Sequence, residues 1–178
     1  MRYVITYLIM AILGLSATGL AWAQLENIGN FSARGIVGTQ DEVLIAGFIV
    51  GGQYPMTVVI RGRGPSLADP PFFLPQVLAN PFLQIYSGST LIASNDDWRN
   101  ATSCRSGYTC GTASQVQAAR LDPCEPNLAE QISASPGCNL ESAIMITLPP
   151  GGYTAILSGA KGGVGVGLIE VFQVAGQV

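Results

Sequence analysis

The sequence predicts an all-β protein: an antiparallel β-sandwich of jelly-roll or immunoglobulin-like type, with about eight strands and a disulfide-bearing loop insertion. Three observations carry this. Charged residues are 11% of the chain, well under the usual quarter, so neutral, small and β-branched residues must cover much of the surface. Short runs rich in Val, Ile, Leu and Thr recur, and glycine turns part them about every ten residues in the second half. The four cysteines, Cys104, Cys110, Cys124 and Cys138, all fall in one polar segment that interrupts this rhythm.

Taken in order, residues 1–23 come first. Met1-Arg2 is a short positive start, Tyr3 to Leu20 is an apolar run, and Ala21-Trp22-Ala23 supplies small residues at the −3 and −1 positions of a cut. This is the layout of a secretory signal peptide. The run is about 18 residues, near the lower limit for a retained span, and no basic stop follows it. Residues 24–178 are then a single exported domain with no membrane span after cleavage, bound for the periplasm, the cell surface or the medium.

A first strand is predicted near Phe31–Val37. Glu42 to Val50 (EVLIAGFIV) is a nearly continuous apolar run ended by Gly51-Gly52, whose length and branched residues predict a buried strand. Met56 to Arg61 is a third strand. Pro65, Pro70, Pro71, Pro75 and Pro81 make the next stretch a loop. Within it Pro71-Phe72-Phe73-Leu74-Pro75 is expected to fold down and cap one end of the core, the other option being an exposed interaction patch. Phe82 to Tyr86 and Thr90 to Ser94 flank Ser87-Gly88-Ser89 and predict a hairpin. Short helices are predicted over Ser114–Leu121 and Pro126–Ile132. Glu141 to Leu148, Tyr153 to Ser158 and Val164 to Val174 close the list, and their short links predict an antiparallel meander.

Several chemistries are excluded by composition. There is no histidine, which removes Ser-His-Asp and Cys-His catalysis and every imidazole metal site. The formal net charge is −3, and loss of Arg2 with the signal takes it to −4, so phosphate backbones are repelled and nucleic acid is not a partner. Ser158-Gly159-Ala160-Lys161 spells S-x-x-K, but the glycines after it forbid the helix that would bring the two side chains together. The glycines at 62–64 and 159–167 do not sit between a strand and a helix, so they read as turn and strand glycines rather than phosphate cradles. No catalytic residue is assigned, and the chain is read as a non-enzyme.

Four cysteines in an exported chain imply two disulfides. Cys104–Cys110 with Cys124–Cys138 is favoured of the three possible pairings, because local loops close most easily. A four-cysteine zinc site lacks its C-x-x-C spacing. Arg61 and Glu170 each stand in an otherwise apolar strand, and a lone buried charge is costly, so the two are expected to form a structural ion pair across the sandwich or at its end. Asn95, Asp96, Asp97 and Trp98 are the most site-like group. Oxygen ligands on a loop could hold calcium, the one cofactor considered, and a tryptophan beside them could stack a glycan. The plainer alternative is a turn whose Asx side chains bond their own backbone.

Several strings also carry a resemblance. Val58–Ala68 (VVIRGRGPSLA), Leu83-Gln84-Ile85-Tyr86 with Asn95-Asp96-Asp97-Trp98, Glu141-Ser142-Ala143-Ile144, Leu148–Ala155 and Gly165–Phe172 together resemble a family of exported bacterial β-sandwich domains of unassigned function. More distantly the chain is similar to the pre-peptidase C-terminal domains of secreted hydrolases, which are jelly-roll-like and non-catalytic. The resemblance implies the same fold and no catalytic residues. The cysteine-bearing 104–138 segment departs from the family's pattern. The function expected is a secreted or cell-surface structural or interaction module that self-assembles into a fibre, matrix or surface layer, with another copy or other surface proteins as partners. The terminal strand and the N-terminal segment are the expected contact edges. The alternative is a carbohydrate- or calcium-binding accessory domain, with a glycan as partner.

Overall fold

The computed structural model describes residues 30–124 and 137–174. The signal segment and the expected helix at Pro126–Ile132 lie outside the described residues.

Ten strands form in chain order: β1 (Phe31–Val37), β2 (Leu44–Val50), β3 (Met56–Arg63), β4 (Pro81–Ser87), β5 (Thr90–Asn95), β6 (Ser103–Cys104), β7 (Thr109–Cys110), β8 (Ser142–Leu148), β9 (Gly151–Gly159) and β10 (Gly165–Gln173). One short helix, α1 (Ala113–Ala118), lies between β7 and β8. All eight expected strands are present. The two additional ones, β6 and β7, are two residues each, too short to leave an alternating pattern in sequence.

The strands make two antiparallel five-stranded sheets, in the orders β1-β10-β3-β8-β7 and β2-β9-β4-β5-β6. Alternation then fills the space between them. Val58 and Ile60 of β3, Ile144, Ile146 and Leu148 of β8, and Ile169 and Val171 of β10 meet Ala46, Phe48 and Val50 of β2, Leu83 and Ile85 of β4, and Tyr153, Ala155 and Leu157 of β9.

A second, smaller core covers the outer face of the first sheet. There Val59 of β3 and Ala143 and Met145 of β8 pack beneath Trp98 and Val116 of α1. This explains why β8 reads as an unbroken apolar run: both of its faces are covered. The helix is fixed at its start by a capping box. Thr112 Oγ1 accepts from the Gln115 N–H at 3.3 Å, and Gln115 Oε1 accepts from the Thr112 N–H at 2.8 Å.

The expected meander of the last three strands is not found. β8 and β10 both pair with β3 in the first sheet, whereas β9 pairs with β2 and β4 in the second. A short link can fold a strand back beside its predecessor or carry it over the end of the sandwich to the other layer, and loop length does not distinguish the two.

The two open sides of the sandwich are finished differently. On one side, β6 of the second sheet and β7 of the first are joined by the Cys104–Cys110 disulfide, with a Cα–Cα distance of 6.1 Å. This bond clamps layer to layer. The second disulfide, Cys124–Cys138, ties the end of the helical insertion to the turn before β8. Both pairings are the favoured ones, and they are the chemistry of an oxidising, non-cytoplasmic compartment. On the other side, β1 and β2 are full seven-residue strands, each paired along one edge only among the described residues.

The clamp predicts that a C104A/C110A double variant loses about 2 kcal/mol in urea denaturation. Amide exchange should rise first at Ala93 and Ile146, the residues paired to the two clamped cysteines. An unchanged midpoint would refute the clamp.

Candidate functional site

The first sheet carries the charges, because its outer face receives the odd-numbered residues of β3. Arg61 and Arg63 follow Val59 there, while Gly62 turns inward. Arg61 and Glu170 are register partners on β3 and β10. Arg61 Nε donates to Glu170 Oε2 at 2.9 Å, and Nη2 lies 2.7 Å from the same oxygen. The expected ion pair therefore forms, but within one sheet and on its outer face rather than across the sandwich. Phe172, two residues along β10, lies under the Arg61 guanidinium at 4.6 Å. Burial pushes the Arg61 pKa down from its ordinary value, and Glu170 opposes that shift.

Arg63 links this pair to a wholly buried carboxylate. Its Nη1 is 3.7 Å from Glu170, its Nε is 3.8 Å from Glu141 Oε2, and its Nε and Nη2 donate to Ser66 Oγ at 2.9 and 2.6 Å. Glu141 is fully buried at the head of β8. Its oxygens accept from the backbone N–H of Ser66 at 2.7 Å and of Gly64 at 3.2 Å. These donors head the 3-10 turn Pro65–Ala68, whose N-terminal cap has no side-chain partner of its own. The carboxylate of a distant strand thus does the work of a cap. Gly64 is required for the same geometry, because a Cβ there would collide with the Leu78 carbonyl. Sequence reasoning missed the role of Glu141. The available signal was a lone acid heading an apolar strand, in a chain with arginines similarly placed.

The Asn95–Trp98 loop divides. Asn95 is buried and structural: its Oδ1 accepts from the Ala143 N–H at 3.1 Å, and its Nδ2 donates to the Asp97 carbonyl at 3.1 Å. It thereby ties the end of β5, in the second sheet, to β8 in the first. Trp98 is 2% exposed, its backbone N–H donates to the Glu141 carbonyl at 2.8 Å, its indole Nε1 is buried with no hydrogen-bond partner among the described residues, and Arg99 lies over its ring at 4.9 Å. A ring sealed in this way has no free face for a sugar: Trp98 packs in the core, the commoner role for a lone tryptophan, and the alternative of a glycan platform is corrected. Apolar surface on β3 and β8 claimed it instead.

Asp96 and Asp97 remain near the surface. Asn80, with its amide nitrogen assigned toward the two acceptors, donates to Asp96 Oδ1 at 3.2 Å and to the Leu140 carbonyl at 3.1 Å. Asn100 Nδ2 donates to Asp97 Oδ2 at 3.1 Å. Burial and then the neighbouring Asp97 hold the Asp96 carboxyl above its usual range, with Lys161 pulling the other way. Asp97 Oδ1 is shielded and has no hydrogen-bond partner among the described residues. Among the described residues no three His, Cys, Asp or Glu side chains converge.

Two further expectations fall on this surface. Ser158 ends β9 and Lys161 lies in the 3-10 turn Ala160–Gly162, with φ of 55°, so the S-x-x-K string is a strand-to-turn exit. The Phe72-Phe73 segment does not cap the core. Phe73 is 69% exposed, and Leu67 and Leu78 close that end instead. Phe72 is held outward under the Arg63 guanidinium, 5.9 Å from its ring.

No family model matches this sequence, and neither a curated protein nor a solved structure is found similar to it.

Burial pushes the Glu141 carboxyl above its ordinary value, against the hydrogen bonds from Ser66 and Gly64 and the field of Arg63. The folded state therefore keeps the proton over a range where the unfolded chain has lost it. This contribution to stability is present below the unfolded pKa and is lost as pH rises through the folded one. Equilibrium unfolding across that range should show the decline in the native protein and a flatter profile in Glu141→Gln. Glu141→Ala, which strands two buried N–H groups and Arg63, should cost about 3 kcal/mol.

Proposed function

We propose that this chain is an exported, non-enzymatic structural module that works by contact, associating with itself or with other surface proteins in a fibre, matrix or layer outside the cell. The observation that carries this is the asymmetry of the sandwich. One side is sealed by a disulfide, and the other offers two full-length strand edges with Ile36, Ile45 and Ile49 exposed beside them. Unpaired strand edges are templates for another strand, and proteins that must stay apart blunt them. The buried charges support the same reading, because Arg61, Arg63, Glu141 and Glu170 are engaged with one another and with a turn rather than converging on a cleft. The signal-like leader and the resemblance to exported sandwich domains support the location.

Of the two expected contact edges, the N-terminal one remains and the terminal strand does not. The terminal strand β10 lies between β1 and β3, so its edges are both occupied. β1 at the N-terminal side and β2 are the free ones.

Light scattering coupled to size exclusion should show concentration-dependent oligomers, and negative-stain images should show particles larger than one domain or filaments. A strict monomer at the highest soluble concentration would overturn self-association.

The rival reading, a calcium- or carbohydrate-binding accessory domain, now rests on Asp96 and Asp97, with the unpartnered Asp97 Oδ1 as its motive. A calcium titration followed by thermal melting separates the two. The contact-module reading expects a midpoint unchanged within about 1 °C, whereas a saturable rise would move the assignment to a calcium site.

A further inference from the structure

The strand β2 does not fit its surroundings. Its sequence, Leu44-Ile45-Ala46-Gly47-Phe48-Ile49-Val50, is apolar on both faces, the signature of a strand covered on both sides. Its position is a free edge with one face open: Ala46, Phe48 and Val50 are buried, but Ile45 is 59% and Ile49 74% exposed. None of the usual edge guards is present on it, neither a charge, nor a proline, nor a bulge. Its neighbour β1, by contrast, carries the exposed Arg34 at mid-strand.

We infer that β2 pairs with β2 of a second copy of this chain, antiparallel about a two-fold axis at Gly47, joining two five-stranded sheets into one of ten strands. The inference rests on the contact-module reading and names its partner and surface.

Two observations commit the occupant to a second copy. The first is charge. The strands of the second sheet contain no Asp, Glu, Lys or Arg, whereas those of the first contain Arg34, Arg61, Arg63 and Glu170. For an acidic chain, the uncharged sheet is the one two copies can bring together without like-charge repulsion. The second is register. About a two-fold at Gly47, Ile45 falls opposite Ile49 of the second copy, Ala46 opposite Phe48, and Leu44 opposite Val50. Small therefore meets large in the inward row, and isoleucine meets isoleucine in the exposed one. The acidic pair flanking the strand is also accommodated. Asp41 and Glu42 of one copy fall opposite Gln53 and Gly52 of the other, so no carboxylate faces a carboxylate. At the axis Gly47 meets its own equivalent, between the two isoleucine pairs of the exposed row. The paired length is about 24 Å at the usual rise per residue. Ile156 of β9, the register partner of Ile45, extends the apolar row behind it.

Such an interface is isologous and closes at two copies, with β1 left free on each. Larger assemblies would use that second edge.

The test uses charge pairs that only this register distinguishes. In the full chain, I45K/I49K sets lysine against lysine across the axis twice, whereas I45E/I49K sets glutamate against lysine twice. Both remove the same isoleucines, at exposed positions, and matched thermal melts and far-ultraviolet circular dichroism show that each variant folds. Sedimentation equilibrium should find I45E/I49K dimerising about tenfold or more tightly than I45K/I49K, despite its more negative net charge. Gly47→Cys, where a new Cβ meets nothing nearer than the Tyr153 carbonyl at 4.0 Å, should yield a covalent dimer on mild oxidation, and Ile36→Cys on β1 should not. Equal affinities for the two double variants, or cross-linking through position 36 rather than 47, would overturn the β2 pairing while leaving self-association standing. A native chain that never dimerises would sink both.

Discussion

A single buried carboxylate organises one end of this molecule. Glu141 sits where β8 begins, and everything near it is arranged around the need to satisfy a charge without water. The Gly64–Ser66 backbone turns its N–H groups inward to reach it, Gly64 gives up a side chain so that the Leu78 carbonyl can pass close, and Arg63 stands alongside. The backbone N–H of Trp98 donates to the carbonyl of the same residue, and the indole ring packs over the outer face of β8. Removing water from an ion is expensive enough that a structure either avoids it or supplies a full set of partners. Here the partners of the carboxylate come from the Arg63–Ser66 stretch and the partner of the Glu141 carbonyl is Trp98, which together tie the placement of β3, β5 and β8.

That placement has a consequence for the two faces. The outer face of the first sheet is covered twice, by the insertion carrying Trp98 and Val116 and by the arginine–glutamate row. Among the described residues no core cluster covers the outer face of the second sheet, and its strands contain no charge. Low charge content overall is therefore unevenly spent: the charges that fall within strands are all on one layer, and the strands of the other are neutral. The same unevenness holds along the edges, where a disulfide closes one side and two seven-residue strands remain on the other. A domain built in this way has one surface that is finished and one that is not, and contact with another strand is the chemistry available to the unfinished one.

The insertion is less a decoration than a brace. Asn95 ties β5 to β8, Cys104–Cys110 joins β6 to β7, and Cys124–Cys138 returns the chain to β8. Each of these links crosses between layers or anchors the cover to the layer beneath it. The visible effect of this segment is to fix one edge covalently.

Strand positions and the class of fold were legible in the sequence, because alternation, branched side chains and glycine turns act over a few residues. The disulfide partners were legible too, since short loops close most readily. Other features depended on where strands travel after they turn. Whether a short link leads to a neighbour or to the opposite layer is decided by which faces remain to be covered, and that placed β9 away from β8 and β10. The same accounting buried Trp98, which alone could have been a platform, and left Phe73 outside. It also put a strand apolar on both faces at an open edge. Local sequence sets how each segment wishes to be buried; only the packed whole determines which of those wishes is met within one chain.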